Sequence, residues 1–478
     1  MIRYYLLLLI VLLKMVSLEA QNYHAVQGSP YAGSLGVHNN PASILMAPFK
    51  WDLTLIGIQE KSSTNLFTIY NYSLLSNPYR SQYSINGGEY KRFSNLSLNL
   101  NLLNARIALG RQAAIAFGVN LKSYSNVSSS SYNFSDTVLR TGEFFKINQP
   151  NQTYSAKFNS SSWMEIYASY ARTIIDNDAI RLNAGITVKV NKGLSGATAR
   201  LEDARYQELA NNRYNIAGGY LEYIYSSNFD HWQKNNPAST NISNLVRYSN
   251  GGASFDAGVE YLIKPQELVN FDDEDNYYDY EWKFGLSLLD AGFTRYRSGN
   301  KSRGVSGINP AISNADLDNK FDSTITSLKI FNDSLSTIAT SFVAINSMYN
   351  IINPMRVVLN VDRFVFKNFY VNAELSLNIP DSWVKKWRNI KEMNLLTVTP
   401  RWETRRFGIY LPMQYTNTDR FWIGGAFKAG PLLIGVHNWA NLFSKKSFQN
   451  GGGYVALIIR NPGSISKRHD KRLDCPSP

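Results

Sequence analysis

Hydrophobic and polar residues alternate along residues 94–124. Leucines occupy every second position from Leu96 to Leu102, separated by Ser and Asn, and a second alternating run extends from Ile115 to Lys122 after a short break at 111–112. A period of two gives a strand one apolar and one polar face. Strands of soluble sheets have about 5 to 6 residues, whereas a tilted strand needs about 9 to 11 to cross a bilayer. Each run reaches that length, so the pattern predicts a membrane-spanning hairpin.

The same pattern predicts fourteen strands, at 51–72, 94–109, 113–126, 162–174, 179–193, 252–264, 280–296, 355–365, 369–379, 394–404, 407–417, 420–429, 432–439 and 451–461. The first must bend or bulge near Lys61 to reach Tyr72. Pro400 and Pro412 fall inside two strands, and proline cannot donate to a sheet ladder. We therefore expect either bulges or a shifted register at these prolines.

Connection lengths support an even strand number. Long segments at 73–93, 127–161, 194–251 and 297–354 alternate with short links such as 110–112 and 175–178. Bacterial barrels have short periplasmic turns and long outer loops, which places both ends of the wall in the periplasm. The link at 265–279 is longer, and the link at 418–419 shorter, than this rule predicts.

Beyond Ala20 the sequence has no run of 18 apolar residues that would predict a transmembrane helix. A backbone crosses lipid only as a helix or a closed barrel, because each peptide group needs an internal partner. The predicted fold is therefore an all-β, transmembrane antiparallel β-barrel over 51–461.

The two ends of the chain have different compositions. Residues 1–20 have Arg3, an apolar run and small residues before Gln21, which predicts a signal peptide cleaved after Ala20 and export to the cell outer membrane. Residues 21–50 are too irregular for a wall strand and are expected to form a plug inside the barrel. Residues 462–478 form a basic tail, expected in the periplasm.

Apolar residues in the outer loops recur at helical spacing. From Leu317 to Phe342 they recur at three, four and seven residues, which predicts one amphipathic helix in loop 297–354. A shorter helix is expected from Glu202 to Asn211 in loop 194–251. Helical outer loops favour a cap or a docking surface, with simple loop packing as the alternative.

Several stretches resemble known barrel families. The segment YAGSLGVHNNPASI (31–44) resembles the N-terminal segment of the long-chain fatty acid transporter-like barrels, whose Asn-Pro-Ala belongs to an internal hatch. The matching residues here are Asn40, Pro41 and Ala42, beside Gly33 and Gly36. Residues 101–124, 188–201 and 421–438 resemble an uncharacterised outer-membrane barrel family of the Bacteroidota. That family is similar to the fatty acid transporter barrels and to the shuttle barrel of the type IX secretion system.

The sequence predicts no catalytic residue, cofactor or metal site. His437 beside Asn438 permits a Ser/His/Asn arrangement, but no local motif marks a nucleophile. The acidic run at 272–275 lacks the spacing of a calcium loop, so a solvated turn is the better interpretation. A net charge of +13 suits membrane phosphates better than nucleic acid in an exported chain.

Two functions from different classes remain. One is passive transport of hydrophobic or amphipathic small molecules past a movable plug. The other is a non-conducting accessory or scaffold barrel that docks outer-membrane proteins through loops 194–251 and 297–354. Outer-membrane lipid and lipopolysaccharide are expected partners in both, and a lipophilic ligand only in the first.

Overall fold

The wall of the protein, in a computed structural model, is a closed antiparallel β-barrel. The structure describes residues 23–461 apart from 72, 74–75, 111, 136–140, 149–152, 210–212, 266–278, 309–311, 322–323, 381–386, 417–419, 444–446 and 448. The predictions for residues 1–20, 272–275 and 462–478 lie outside these residues.

Fourteen strands form the wall within the described part of the chain. They are β1 (Trp51–Thr64), β2 (Gly88–Ala108), β3 (Ala113–Phe134), β4 (Tyr154–Asp176), β5 (Ile180–Leu209), β6 (Gly251–Ile263), β7 (Trp282–Arg297), β8 (Arg356–Phe366), β9 (Phe369–Asn378), β10 (Leu395–Glu403), β11 (Phe407–Tyr410 and Met413–Thr416), β12 (Phe421–Ile423 and Gly425–Ala429), β13 (Leu432–Val436) and β14 (Asn450–Arg460). Each pairs with its neighbours, and β1 pairs with both β2 and β14, which closes the barrel. The predicted fold class is thus confirmed.

The two faces of the wall have inverted polarity relative to a soluble protein. Val188 and Val190 face outwards with 58% and 63% of their surfaces exposed, whereas the inward-facing Asn120 and Asp256 are each 1% exposed. Apolar side chains on the outside and buried polar side chains inside are expected only where the surroundings are lipid. Among the described residues, none of the helices has the length and apolar character needed to cross a membrane.

The first strand and the two prolines differ in detail from expectation. β1 ends at Thr64, and Phe67–Tyr70 pairs instead with Gln82–Ile85 in a separate hairpin; the bulge in β1 lies between Thr54 and Ile56, not near Lys61. Pro400 remains inside β10, where the Leu411 amide donates to its carbonyl at 3.1 Å. Pro412 interrupts β11, because a residue without N–H cannot continue the ladder.

The outer side carries an extended sheet and short helices. The upper half of β5 pairs with Tyr220–Tyr225, which pairs with Arg303–Ile308, which in turn pairs with Ala339–Ala344. The remaining outer strands are Arg213–Ala217, Ile312–Ser313 and Met348–Ile352. The helices are α1 (Thr141–Ile147), α2 (Ala238–Arg247), α3 (Asn314–Lys320), α4 (Leu328–Ser336) and α5 (Ala440–Phe443). The 3₁₀ turns on this side are Pro78–Arg80 and Ser227–His231.

Both helix predictions in the outer loops were wrong in detail. Residues 202–209 continue β5, because Glu202 pairs with Tyr220 and Arg205–Leu209 pairs with Arg213–Ala217, and these strand partners outweigh local helix propensity. The single helix expected over 317–342 is divided into α3 and α4, each started by a serine cap, and the chain then returns as the strand Ala339–Ala344. Their apolar faces pack around Tyr223, Val305 and Leu335.

Candidate functional site: the segment inside the barrel

Residues 23–50 cross the lumen from one side of the wall to the other. The segment folds as three 3₁₀ turns, His24–Val26, Gly33–His38 and Pro41–Leu45. Its side chains bond to strands far apart around the barrel: Tyr23 Oη donates to Asn101 Oδ1 of β2 (3.0 Å), Ser29 Oγ to Glu403 Oε2 of β10 (2.6 Å) and Asn39 Nδ2 to Glu374 Oε2 of β9 (2.6 Å). We call residues 23–50 the plug.

Arg106 holds the C-terminal end of the plug. This buried guanidinium on β2 donates to three plug carbonyls, those of Ile44 (2.5 Å), Phe49 (2.6 Å) and Ala47 (3.2 Å). Asp52 lies 3.5 Å from Arg106 Nη1 and balances its charge. One side chain therefore satisfies several backbone acceptors that the irregular turns leave without partners.

Gly28 is the second point of attachment. Its φ of +74° is readily adopted by glycine, and its carbonyl accepts hydrogen bonds from Lys283 Nζ (2.5 Å) and Arg401 Nη2 (3.4 Å). Arg401 is held in place by Asp362, at 2.6 and 2.7 Å, and by Glu403 at 2.8 Å. The charges at this level are paired, and hydrogen bonds to the plug backbone add to the apolar packing of the plug against the wall.

The predicted glycines pack the plug closely. A Cβ at Gly33, whose φ is +59°, would lie 2.5 Å from Asp52 Oδ1. This close approach lets the Ser34 amide donate to Asp52 Oδ1 at 2.6 Å. Ser34 Oγ also lies 2.8 Å from Thr54 Oγ1. At Gly36 a Cβ would lie 2.6 Å from Ser43 Oγ, so this glycine lets two turns touch.

The Asn40-Pro41-Ala42 sequence lies against glycines of the wall. Asn40 starts the third turn: its Oδ1 accepts from the Ala42 amide and its Nδ2 donates to the Val259 carbonyl, both at 3.0 Å. Gly185 of β5 and Gly258 of β6 are paired in register. A Cβ at Gly185 would lie 2.6 Å from the Ala42 nitrogen, and one at Gly258 would overlap the Asn40 side chain. These glycines form a niche that larger residues would fill.

A small polar cavity remains between the plug and the wall. It has a volume of about 30 Å³ and is bordered by Gln27, His38, Asn40, Glu260 and Asn360, among others. That volume accommodates one or two water molecules and is too small for a substrate. At this level the lumen is thus closed by the plug.

Charged residues cover the plug on its outer side. Lys189 Nζ lies 2.6 Å from Asp256 and 2.7 Å from Asp290, and Lys122 Nζ lies 2.9 Å from Asp290 and 3.2 Å from Glu165. Every carboxylate here has a lysine partner, as buried charges require.

His38 lies between the plug and this charged layer. Its Nε2 is 3.2 Å from Asn101 Nδ2, and its ring meets that of Tyr167 edge-on at 5.2 Å. Burial, followed by the positive charge of Lys122, lowers the pKa of His38 to about 3. The imidazole is therefore neutral at pH 7.

An outer strap, residues 387–394, crosses the mouth of the lumen above the charged layer. Asn159 Nδ2 donates to the Trp387 carbonyl at 3.0 Å, and the Lys391 amide donates to Asn126 Oδ1 at 2.8 Å. The strap also packs Ile390 against buried aromatic residues of the wall, namely Tyr124, Trp163, Tyr296 and Tyr349. The lumen is thus filled at an outer level as well.

The wall is interrupted beside the plug. Pro412 divides β11, and directly opposite Gly424 divides β12, leaving one bond from the Gly424 amide to the Pro412 carbonyl at 2.7 Å. Next to this interruption the ring of His437 packs on Tyr454 at 5.1 Å, and Tyr454 packs on plug residue Tyr23 at 5.7 Å. Aromatic rings therefore connect the wall interruption to the plug.

The described histidines outside the plug, His231 and His437, pack against tyrosine rings. His437 follows β13 and is buried against Tyr454, while Asn438 Oδ1 accepts from the Ala440 amide at 3.0 Å. His231 stacks on Tyr248 at 3.8 Å. Over the described ranges, no group of three or more His, Cys, Asp or Glu side chains is placed to hold a metal ion.

Sequence reasoning missed the wall residues that hold the plug. Arg106, Lys283 and Arg401 lie on the polar face of their alternating strands, and an arginine or lysine facing a barrel lumen is a signal that can be read. Gly185 and Gly258 carry no such local signal, because their role depends on pairing between two strands and contact with a segment more than 140 residues away.

The fold defines the class of the protein, and a match to a family model defines its family. The closed, inside-polar barrel with an N-terminal segment in its lumen defines a membrane-spanning β-barrel of the outer-membrane type. The sequence matches the family of unknown function DUF5723 over residues 41–437, and the chain belongs to that family. No curated protein matches the sequence.

Solved structures with a related outline are distant. A Pseudomonas aeruginosa FadL homologue is 11% identical with a TM-score of 0.42, covering 93% of this chain and 98% of its own. The Ralstonia pickettii toluene transporter TbuX is 8% identical with a TM-score of 0.39, covering 92% and 99%. The Pseudomonas putida toluene transporter TodX is 10% identical with a TM-score of 0.36, covering 90% and 93%.

Proposed function

We propose that this protein is a plug-gated barrel of the outer membrane for passive transport of hydrophobic or amphipathic small molecules. The observation that carries the proposal is the plug itself, which closes the lumen yet meets the wall through separate hydrogen bonds and a small polar cavity. Release of this segment separates its polar contacts and its apolar packing against Tyr454 and Tyr167, and leaves the pairing of the wall strands unchanged.

The polarity of the lumen restricts the route. Paired charges above the plug and beside its Gly28 disfavour passage of a purely apolar molecule straight along the axis. The interruption at Pro412 and Gly424 provides a lateral exit towards lipid, next to Tyr23 of the plug. Movement around Asn40 and Pro41 would open this path, and a polar head group would suit the lumen.

Deletion of residues 25–45 tests the transport proposal. In proteoliposomes the deletion should either produce a constitutive leak or abolish uptake of a fluorescent fatty acid. Arg363→Gln, a substitution on the outer face, serves as a control that should behave like the wild type. Unchanged permeability in a deletion variant that keeps its protease-resistant barrel would refute the proposal.

A second candidate is a non-conducting accessory barrel. The observation that favours it is the extended outer sheet with its own apolar core around Tyr223, Leu317 and Leu335. Protein partners would dock through loops 194–251 and 297–354. Trimming those loops should then remove co-purifying proteins while permeability stays unchanged, and retention of all partners would count against this candidate.

A further inference from the structure

The chain between Tyr225 and Gly251 leaves the wall and returns to almost the same place. The Ser226 amide donates to the Gly196 carbonyl of β5 at 2.7 Å, and the Gly193 amide donates to the Asn250 carbonyl at 2.8 Å. The departure and return points are therefore only three residues apart on β5. We call residues 226–250 the excursion.

The excursion is a defined structure that contains α2. Asn228 Nδ2 donates to the carbonyls of Leu194 (2.6 Å) and Leu245 (3.1 Å), which joins the wall to the helix. Asn241 bonds to both backbone groups of Gln233, at 3.1 and 2.8 Å. These contacts set the orientation of α2 on β5.

The excursion lies on the outside of the barrel. The lumenal side of β5 at this height is covered by Tyr296, since a Cβ at Gly193 or Gly196 would lie 2.6 or 2.7 Å from its ring. Tyr296 Oη is 2.7 Å from Ser161 Oγ, and the ring is buried. With the inner side filled, the excursion projects towards the surroundings of the barrel.

Its exposed surface is apolar on one side. Ile242 and Val246, one turn apart on α2, are both exposed, as are Phe229 and Trp232 in the preceding turn; Ile242 has 56% and Trp232 46% of its surface exposed. Polar residues Thr240, Ser243 and Arg247 occupy the other side of the helix. An amphipathic helix that turns apolar residues away from its own protein requires another apolar surface.

The position of this surface identifies that partner. On β5 the apolar belt runs outwards through Val188 and Val190, and Lys192 is the next residue on the same face. Lys192 pairs with Gly251, and Gly252 pairs with Thr294, so Arg295 lies in the same row of the sheet. The belt thus ends in a row of basic residues at the height where the excursion begins.

Lys192, Arg295 and Arg247 form no ion pair with a carboxylate within the part of the chain that the structure describes. Basic side chains directly beyond an apolar belt, with Trp and Tyr beside them, are the pattern of a membrane–water interface. Their charge is complementary to lipid phosphates.

We propose that the excursion is a membrane-interface anchor that binds anionic lipid of the outer leaflet. The Ile242 and Val246 side of α2 enters the acyl boundary, while Arg247, Lys192 and Arg295 bind the phosphates. This binding surface is independent of plug movement, so it holds whether the barrel transports or serves as a scaffold.

Site-directed labelling tests the depth of α2. In a Cys475→Ser background, Ile242→Cys or Val246→Cys is labelled with an environment-sensitive fluorophore, and Thr240→Cys is the matched control on the polar side. The full chain is placed in vesicles of phosphatidylcholine and phosphatidylglycerol containing a nitroxide lipid. We expect at least about threefold stronger lipid quenching at 242 and 246 than at 240, with iodide quenching in the reverse order. Equal quenching at all three positions would overturn the proposal.

The phosphate contacts have a separate test. Lipid quenching at position 242 is measured in vesicles with and without phosphatidylglycerol. The parent protein, Ile242→Cys in the Cys475→Ser background, is compared with a variant that also carries Lys192→Gln, Arg247→Gln and Arg295→Gln. The parent should show deeper insertion with the anionic lipid, and the combined variant should lose that difference. A combined variant that keeps the full difference, with a folded barrel, would overturn the role assigned to the basic row.

Discussion

At the scale of single residues, buried cations and a neutral histidine position the plug. Arg106 donates to three carbonyls at the C-terminal end of the plug, those of Ile44, Ala47 and Phe49. Its position on the lumenal face of β2 follows from the strand's alternation, with a bulge after Leu102 that keeps Arg106 inside.

Arg106→Gln should release the C-terminal end of the plug. The change leaves Asp52 without its cation and removes charge-assisted hydrogen bonds, at a cost on the order of 3–5 kcal/mol in plug docking. Hydrogen exchange of plug peptides should then rise by at least tenfold while the wall strands stay protected. Arg363→Gln on the outer face is the control, and an unchanged exchange rate in Arg106→Gln would show that Arg106 does not anchor the plug.

Acidification should loosen the plug through His38. Because burial lowers the pKa of this group below its usual value, the folded state favours the neutral form; the stabilisation is complete above about pH 6.5 and is lost as pH falls towards about 3. Exchange of plug peptides should therefore increase between pH 6.5 and 4. His38→Gln should flatten part of this dependence, and identical pH profiles for both proteins would contradict the assignment.

At the scale of elements, the alternating pattern predicted the wall strands because each is buried on one face and meets lipid on the other. This environment requires polar and apolar residues to alternate along the whole strand, so β2, β3 and β5 could be predicted from their own sequences. The extension of β5 to Leu209 could not, because it depends on pairing with the outer strands Arg213–Ala217 and Tyr220–Tyr225 and not on its own apolar periodicity. The division into α3 and α4 could not be predicted either, because the chain after α4 becomes a strand, Ala339–Ala344, by pairing with Arg303–Ile308.

The glycine niche yields a prediction about the contact between plug and wall. Gly258→Leu should displace Asn40 and Pro41, because even a Cβ at this position overlaps the Asn40 side chain. Gly251→Ala on the same strand is the control, since its Cβ would be at an ordinary 3.6 Å from the Asn191 carbonyl. Protease cleavage within the plug should appear in Gly258→Leu alone. Equal resistance of both variants would mean that the niche does not seat the plug.

At the scale of the whole molecule, paired lumenal charges connect strands across the barrel. Asp290 of β7 binds both Lys122 of β3 and Lys189 of β5, and no single strand pair brings these residues together. Such a network crosses the lumen and therefore stabilises closure of the barrel.

Asp290→Asn should lower the stability of the barrel. Removing this carboxylate leaves Lys122 with Glu165 alone and Lys189 with Asp256 alone, and each lost charge-assisted hydrogen bond costs on the order of 1.5–3 kcal/mol. The urea midpoint of unfolding in detergent should fall, whereas Asp333→Asn on the exposed side of α4 should leave it unchanged. If both variants unfold at the wild-type urea concentration, the network does not contribute to closure.

A reversible crosslink between plug and wall shows whether the plug moves while the wall stays intact. In the Cys475→Ser background, Ser34→Cys and Thr54→Cys replace two hydroxyls that lie 2.8 Å apart, one on the plug and one on β1. Uptake of a fluorescent fatty acid into proteoliposomes is then measured before and after reduction. Uptake should be abolished in the oxidised protein and restored by reductant, with either single variant unaffected. Equal uptake in the crosslinked and reduced states would contradict a plug-gated path.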